Sequence, residues 1–568
     1  MGRCPVDYDG RSVERGVHRQ QLHSNRSHGN CFAIVQAVAE RAGPAHDSAT
    51  KETGISVMSR NITRLYHALV LQQTELRRSS ALRRSLNSTG YPSLISHFAT
   101  CAEYIACLPP STAMKTVSSL LSSLVLAALV AKQANAYSSS FDLADSTSYL
   151  NYYHDAATSF TAEETTLSDS CTVDQVFVLG RHATRYPTSG SYSGIVTVVD
   201  RVTEVLGWDN TTMDSSLAFL KTWNVTDLIP DGAADAELLA PLGYNESYAF
   251  GEAVRAAYPN LYQAEATVWA NNVERVYDTA QSWMKGYFGS DYDVSNLIEI
   301  SATDTTLGAN SLNPLATCTG YVDNSGTAQT TYNTATSFET DLATYLETLW
   351  PGFGWTATES LFMMDLCMYE MDYVSEGNTE FCALFSDDQW LGYAYYRDLG
   401  YWYGSGYGAT LGATAGFPYA WAVTQLLNET ESTYCQKIFP AFSQDTQMNA
   451  MFAGFGIFED ESYPTDAIND TRSYRSSRAV PMGARFVVER QSCDGETYVR
   501  LLLNNAVATI PGCSSGPGLM CPLADFVEYM TERKAELGDF STECGNTATS
   551  DFTLFDEPVH NLCTVTSC

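Results

Sequence analysis

A histidine set between two arginines offers the clearest chemistry in the chain: Arg181-His182-Ala183-Thr184-Arg185-Tyr186-Pro187. Guanidinium groups are permanent cations whose planar forks match phosphate oxygens. An imidazole can act as a nucleophile. Together the three residues make a small anion site with a nucleophile at its centre. The competing reading is a surface loop with two solvated arginines. Histidines are otherwise scarce. Of nine in the chain, only His154, His182 and His560 follow residue 136. That leaves little room for a histidine-rich metal cluster, and few bases for a serine–histidine triad. No P-loop, H-E-x-x-H or dinucleotide fingerprint is present. Among so many acids, a carboxylate pair suited to glycoside hydrolysis means little.

The elements around this motif can be read in outline. Gln175 to Leu179 (QVFVL), ended by Gly180, reads as a buried strand. The carboxyl end of a strand is where open α/β sheets place ligands. Thr267 to Ala270 reads as another strand. From Val273 the apolar positions Val276, Ala280, Trp283, Met284 and Tyr287 repeat with helical spacing, and Asn271 or Asn272 is the expected cap. Arg275 falls in the first turn of that helix, off its apolar stripe. Residues 201–430 are mostly helical in period, with glycine-rich breaks from Gly404 to Gly416. Strands return at 438–442, 485–489 and 498–503. This pattern predicts an α/β core built from 137–200 and 431–568, with a helical domain, 201–430, inserted between them.

Charge divides the chain. Residues 1–113 hold 13 basic and 8 acidic residues, whereas residues 137–568 hold 17 basic and 57 acidic ones. So acidic a body argues against nucleic acid as a partner. Between the two parts, Met114-Lys115, the apolar run 116–131 and Ala134-Asn135-Ala136 have the layout of a secretory signal peptide over 114–136. Residues 1–113 then read as an upstream extension, disordered or absent from the mature protein. The other reading is a cytosolic tail on a membrane anchor, but the run is shorter than the roughly 20 residues a spanning helix needs. Eleven cysteines follow, with no C-x-x-C pair, and in an exported protein they read as disulfides. Five sequons, at Asn210, Asn224, Asn245, Asn428 and Asn469, fit a glycoprotein.

Arg181-His182-x-x-Arg185-x-Pro187 resembles the RHGxRxP signature of the histidine acid phosphatases, the branch of the histidine phosphatase superfamily that includes fungal acid phosphatases and phytases. The likeness extends in order over most of residues 170–545. It includes Glu274-Arg275-Val276 through Phe288, Phe381–Phe385 with Asp398-Leu399, Gly408–Gly412, Pro481–Arg485, Val499–Asn504, and Pro511-Gly512-Cys513 with Cys521. The resemblance implies a phosphoglycerate-mutase-like α/β core with a large inserted helical domain, and no cofactor or metal. It implies that His182 attacks phosphorus, that Arg181, Arg185 and Arg275 hold the phosphate, and that Asp445 protonates the leaving oxygen. It also implies the disulfides Cys171–Cys493, Cys318–Cys544, Cys367–Cys382 and Cys513–Cys521, with Cys563–Cys568 as a terminal loop and Cys435 free.

Two residues depart from the family pattern. Gln444 stands where the family has histidine, and offers an amide donor without a charge. Ala183 replaces a glycine and crowds the backbone if that position needs glycine's conformation. The expected function is therefore a secreted acid phosphomonoesterase acting on small phosphomonoesters. The alternatives are a catalytically impaired phosphate-binding glycoprotein on the same fold, or a phytase. The segment after Pro187 (TSGSYSGIVTVVD) carries no Lys or Arg, and residues 137–568 contain only four Lys, which favours simple monoesters over phytate.

Overall fold

The structure is a computed structural model that describes residues 147–154, 170–207, 212–302, 309–373, 379–428, 436–460 and 462–546, together with Leu143 and Phe555. All of these lie in one compact unit, Ser140–Cys568. The readings placed on 1–113, on 114–136 and on Asn210, Cys435, His560, Cys563 and Cys568 fall outside the described residues.

One mixed sheet organises the unit. Its strands are β1 Cys171–Arg181, β2 Val268–Asn271, β3 Leu297–Ile300, β4 Ile438–Ser443, β5 Arg485–Cys493, β6 Glu496–Leu503, β7 Ala506–Ala508 and β8 Cys521–Pro522. Their order is β3-β2-β4-β1-β5-β6-β7, with β8 paired to β6. Strands β1 to β4 pair in parallel, and β5 onward pair antiparallel. The antiparallel turns follow local chemistry. Asp494-Gly495 and Asn504-Asn505 both have positive φ, as tight two-residue hairpins require.

Among the described residues, ten longer helices accompany the sheet: α1 Ser189–Leu206, α2 Pro241–Ala257, α3 Glu274–Phe288, α4 Ser325–Thr336, α5 Phe338–Leu349, α6 Ala357–Tyr373, α7 Asp387–Gly404, α8 Gly412–Asn428, α9 Asp445–Phe455 and α10 Leu523–Leu537. Alternation along the strands sorts the two faces. Val176, Val178, Ile438 and Phe442 join Phe250 of α2 and Trp283 of α3 in one core cluster. Phe177, Leu179, Phe439 and Ala441 join the larger cluster that includes residues of α5 to α9. Both faces are covered, which is why β1 and β4 read as continuous apolar runs rather than alternating ones.

The span 201–430 is not helical throughout. It supplies β2 and β3 to the sheet, and α2 and α3 to one of its covering layers. The start of α3 also differs from expectation. Val273 is its N-cap and offers no side-chain bond, while Asn271 Oδ1 accepts the Val273 N–H at 3.1 Å in the turn before the helix. The four disulfides that the resemblance implied are present. Their Cα separations are 4.1 Å for Cys171–Cys493, 4.7 Å for Cys318–Cys544, 4.8 Å for Cys367–Cys382 and 5.0 Å for Cys513–Cys521.

Candidate active site

Strands β2, β4 and β1 are adjacent and parallel, so their carboxyl ends face the same way. Arg275 follows the end of β2, Gln444 and Asp445 follow β4, and Arg181 and His182 lie at the end of β1. Segments far apart in the chain, from residue 181 to residue 445, thus meet at the carboxyl ends of adjacent strands. Helix α9, which begins at Asp445, is held there by close backbone contact with α8. A Cβ on Gly454 would lie 2.7 Å from the Gly416 carbonyl carbon, so this crossing needs glycine.

His182 is 1 % exposed. Its N–H donates to Ser443 O at 3.3 Å and its carbonyl accepts the Gly483 N–H at 2.9 Å, so main chain fixes it from both sides. Nδ1 lies 2.9 Å from the Ala183 carbonyl. A carbonyl can only accept, so Nδ1 carries the proton and Nε2 keeps its lone pair. Burial drives the imidazole pKa well below its ordinary value, and Arg181, Arg185 and Arg275 push it down further. Ala183 does not adopt a positive φ, so the alanine in place of the family's glycine introduces no backbone strain. Its N–H donates to Thr279 Oγ at 3.1 Å, and Thr279 donates in turn to Arg275 O at 2.7 Å. One hydroxyl thereby ties the histidine loop to the first turn of α3.

The arginines are held in different ways. Arg181 Nη1 donates to the Tyr149 and Val480 carbonyls. Its Nη2 lies 2.6 Å from Asp445 Oδ2, a close ion contact without hydrogen-bond alignment. Arg185 donates to Tyr186 O at 2.9 Å. Burial works against its charge, but Tyr369, Asp445 and Tyr149 outweigh that, and its pKa is raised. Arg275 reaches Glu237 Oε2 through Nη1 at 3.0 Å and Gln444 Oε1 through Nη2 at 2.8 Å. Burial pushes the Asp445 carboxyl up, but Arg181, Arg185, the Thr446 N–H and Arg275 more than offset it, and its pKa lies below the ordinary value.

His182, Arg181, Arg185, Arg275, Gln444 and Asp445 are therefore brought together. Gln444 faces Arg275 rather than the core. Of the sequons, Asn224, Asn245 and Asn428 are exposed and Asn469 is partly so. Sequence reasoning missed Thr279, Glu237 and Tyr149. Only Thr279 had a local signal, since it lies four residues after Arg275 on the same helical face.

The sequence profile of the histidine phosphatase superfamily, branch 2, matches residues 172–504. The chain belongs to this family. It is 33 % identical to an acid phosphatase of Komagataella pastoris, over 66 % of this chain and 81 % of that protein. It is 28 % identical to a phytase of Candida albicans, over 69 % of this chain and 85 % of that protein. Among solved structures it resembles the phytase of D. castellii, with 28 % identity and a TM-score of 0.64, covering 73 % of this chain and 89 % of that one. This histidine phosphatase is thus a hydrolase whose relatives include both acid phosphatases and phytases.

Proposed function

We propose that the chain is a secreted acid phosphomonoesterase that works through a phosphohistidine at His182. The observation that carries this reading is a neutral, fixed imidazole with its Nε2 free, set among three arginines and one carboxyl. Arg181, Arg185 and Arg275 bind the phosphate oxygens and stabilise charge on the transferring group. The His182 Nε2–phosphorus bond forms as the phosphorus–ester oxygen bond breaks. The ester oxygen takes the electron pair and a proton from the Asp445 carboxyl. Water then attacks phosphorus, returns a proton to Asp445, and the nitrogen–phosphorus bond breaks to release phosphate.

Asp445 must be protonated for the first half of this cycle, yet the arginines favour its anion. An incoming phosphate offsets those cations and relieves their downward pull. Proton uptake by Asp445 therefore accompanies substrate binding, and acidic pH favours turnover. Gln444 supports an active site over an impaired one, because its Oε1 holds Arg275 in place and its amide nitrogen remains a donor.

The decisive experiment traps the intermediate. Wild type quenched during turnover of a labelled phosphomonoester should carry acid-labile phosphate. His182→Ala should carry none and lose about 10⁴-fold or more in kcat. Normal turnover by the mutant would exclude the mechanism. Export is supported by the four disulfides and the exposed sequons. Amino-terminal sequencing of secreted protein should read from near Tyr137, and a start near Met1 would refute processing.

A further inference from the structure

The outer side of Arg275 is occupied by an acid that takes no bond-making or proton-transfer role in the phosphoryl transfer proposed above. Glu237 lies in the loop before α2, and main-chain bonds set its position beside the histidine motif. Ala240 N–H donates to Thr184 O, Tyr186 N–H to Leu238 O, and Glu237 N–H to Pro187 O, each at 3.0 Å. Residues 237–240 therefore run antiparallel to residues 184–187. Glu237 has φ +74°, the left-handed region that non-glycine residues rarely enter. Such a conformation persists only where surrounding contacts fix it, and here both carboxylate oxygens are fixed. Oε1 accepts the Ser189 N–H at 2.8 Å, and Oε2 meets Arg275 Nη1 at 3.0 Å. The side chain remains 39 % exposed, against 13 % for Arg275, so it stands on the solvent side of the arginine.

We infer that Glu237 is a specificity-determining residue that selects phosphomonoesters whose alcohol bears no further phosphate. A single phosphate can use the inner arm of Arg275, the one that Gln444 steadies. A second phosphate on the same substrate would meet the Glu237 carboxylate, where a polyphosphate site would need a cation. The surroundings reinforce this. Asp231 and Asp235 lie near Tyr186 in the same loop, and Glu274 precedes Arg275. Residues 188–200, the N-cap and first turns of α1, supply no Lys or Arg before Arg201, and Arg201 is paired with Glu359. Family membership alone does not choose the substrate, since relatives of both names match.

The inference deepens the phosphomonoesterase reading and rests on it. Its test compares the full secreted chain with Glu237→Gln, which keeps the shape, and Glu237→Asn, which tolerates positive φ and is too short to reach Arg275. The turnover readout is kcat/KM on inositol hexakisphosphate divided by kcat/KM on p-nitrophenyl phosphate. That ratio should rise about tenfold in both variants. Calorimetry supplies a readout independent of turnover. The affinity for inositol hexasulfate, relative to inorganic phosphate, should rise in step. An unchanged or lower ratio together with unchanged relative affinity in folded variants would overturn the role of Glu237. A wild type that hydrolyses neither ester would sink the phosphatase reading, and calorimetry would still decide whether Glu237 repels polyanions.

Discussion

The site has two halves built on different principles. In the inner half, main chain does the holding. Arg181 donates to two backbone carbonyls, and its side chain is 0 % exposed. His182 is tied through both its N–H and its C=O. In the outer half, side chains do the holding, since Arg275 is kept in place by Glu237 and Gln444. Backbone carbonyls persist through any substitution that preserves the fold. Side-chain partners change with one codon. The main-chain supports of the inner half are thus lost only where the fold itself is lost. The outer half is where binding strength and substrate choice are adjusted.

The largest expected effects, after loss of His182 itself, belong to the inner half. Asp445→Asn removes the proton donor and leaves the arginines in place. Its kcat on alkyl phosphates, whose leaving oxygens need protonation, should fall about 10²–10⁴-fold. Its kcat on p-nitrophenyl phosphate should fall much less, because that leaving group departs as an anion. Equal losses on both substrates would mean that Asp445 acts by position or charge instead of by proton transfer.

The outer half should respond more mildly. Gln444→His replaces a neutral donor with one that is cationic below its ordinary pKa of about 6.5. Charged hydrogen bonds are stronger than neutral ones. Inhibition by phosphate should tighten about tenfold at acidic pH, equivalent to about 1.4 kcal/mol. The gain should disappear as pH rises through the histidine pKa. The new cation also lies beside Arg275, so a gain well below tenfold would show that repulsion in the empty site offsets it. No pH-dependent gain at all would place Gln444 outside phosphate binding.

The two halves were unequally legible in the sequence, and the reason is physical. The Arg181–Arg185 motif is local, follows a readable strand and uses rare residue types. Arg275 was singled out by the family resemblance of Glu274 to Phe288, and helical spacing added only that it lies off the apolar stripe at a helix start. Tyr149 could not be found, because its hydrogen bond to Arg181 comes from a main-chain carbonyl that leaves no mark in the sequence. Glu237 is one acid among 57 in residues 137–568. It meets Arg275 only because residues 237–240 pair with the histidine loop, a register set by tertiary contact. Asn271 or Asn272 was expected to cap α3 and the cap is Val273, because helix-start rules do not resolve which of two or three consecutive residues is the cap. Fold class was legible because the strands at both ends of the body bracket a long helical stretch. That the sheet also recruits β2 and β3 from within 201–430 required knowledge of pairing.

The smallest effect on turnover, and the most diagnostic for the inner wall, comes from Asp372 near the end of α6. Among the described residues neither of its carboxyl oxygens has a hydrogen-bond partner, and it is 2 % exposed. Burial raises its pKa well above the ordinary carboxylate value. The nearby Glu246 pushes it up further, while Arg181 and Arg185 only partly oppose this. In the unfolded chain the same group ionises near pH 3.9. Between that pH and the raised folded value, the folded state binds the extra proton. Stability from this group is therefore full below about pH 4 and declines as pH rises, by up to about 1.4 kcal/mol per pH unit. His182 works in the opposite direction. Its folded pKa is depressed, so the folded state loses stability as pH falls below about 6.5. That contribution is common to wild type and to Asp372→Asn, and cancels in their difference. The variant keeps a neutral side chain at every pH. Its melting temperature relative to wild type should increase as pH rises above about 4, with kcat at acidic pH changed by less than about threefold. Parallel melting curves would mean that Asp372 ionises normally in spite of its burial and the nearby Glu246.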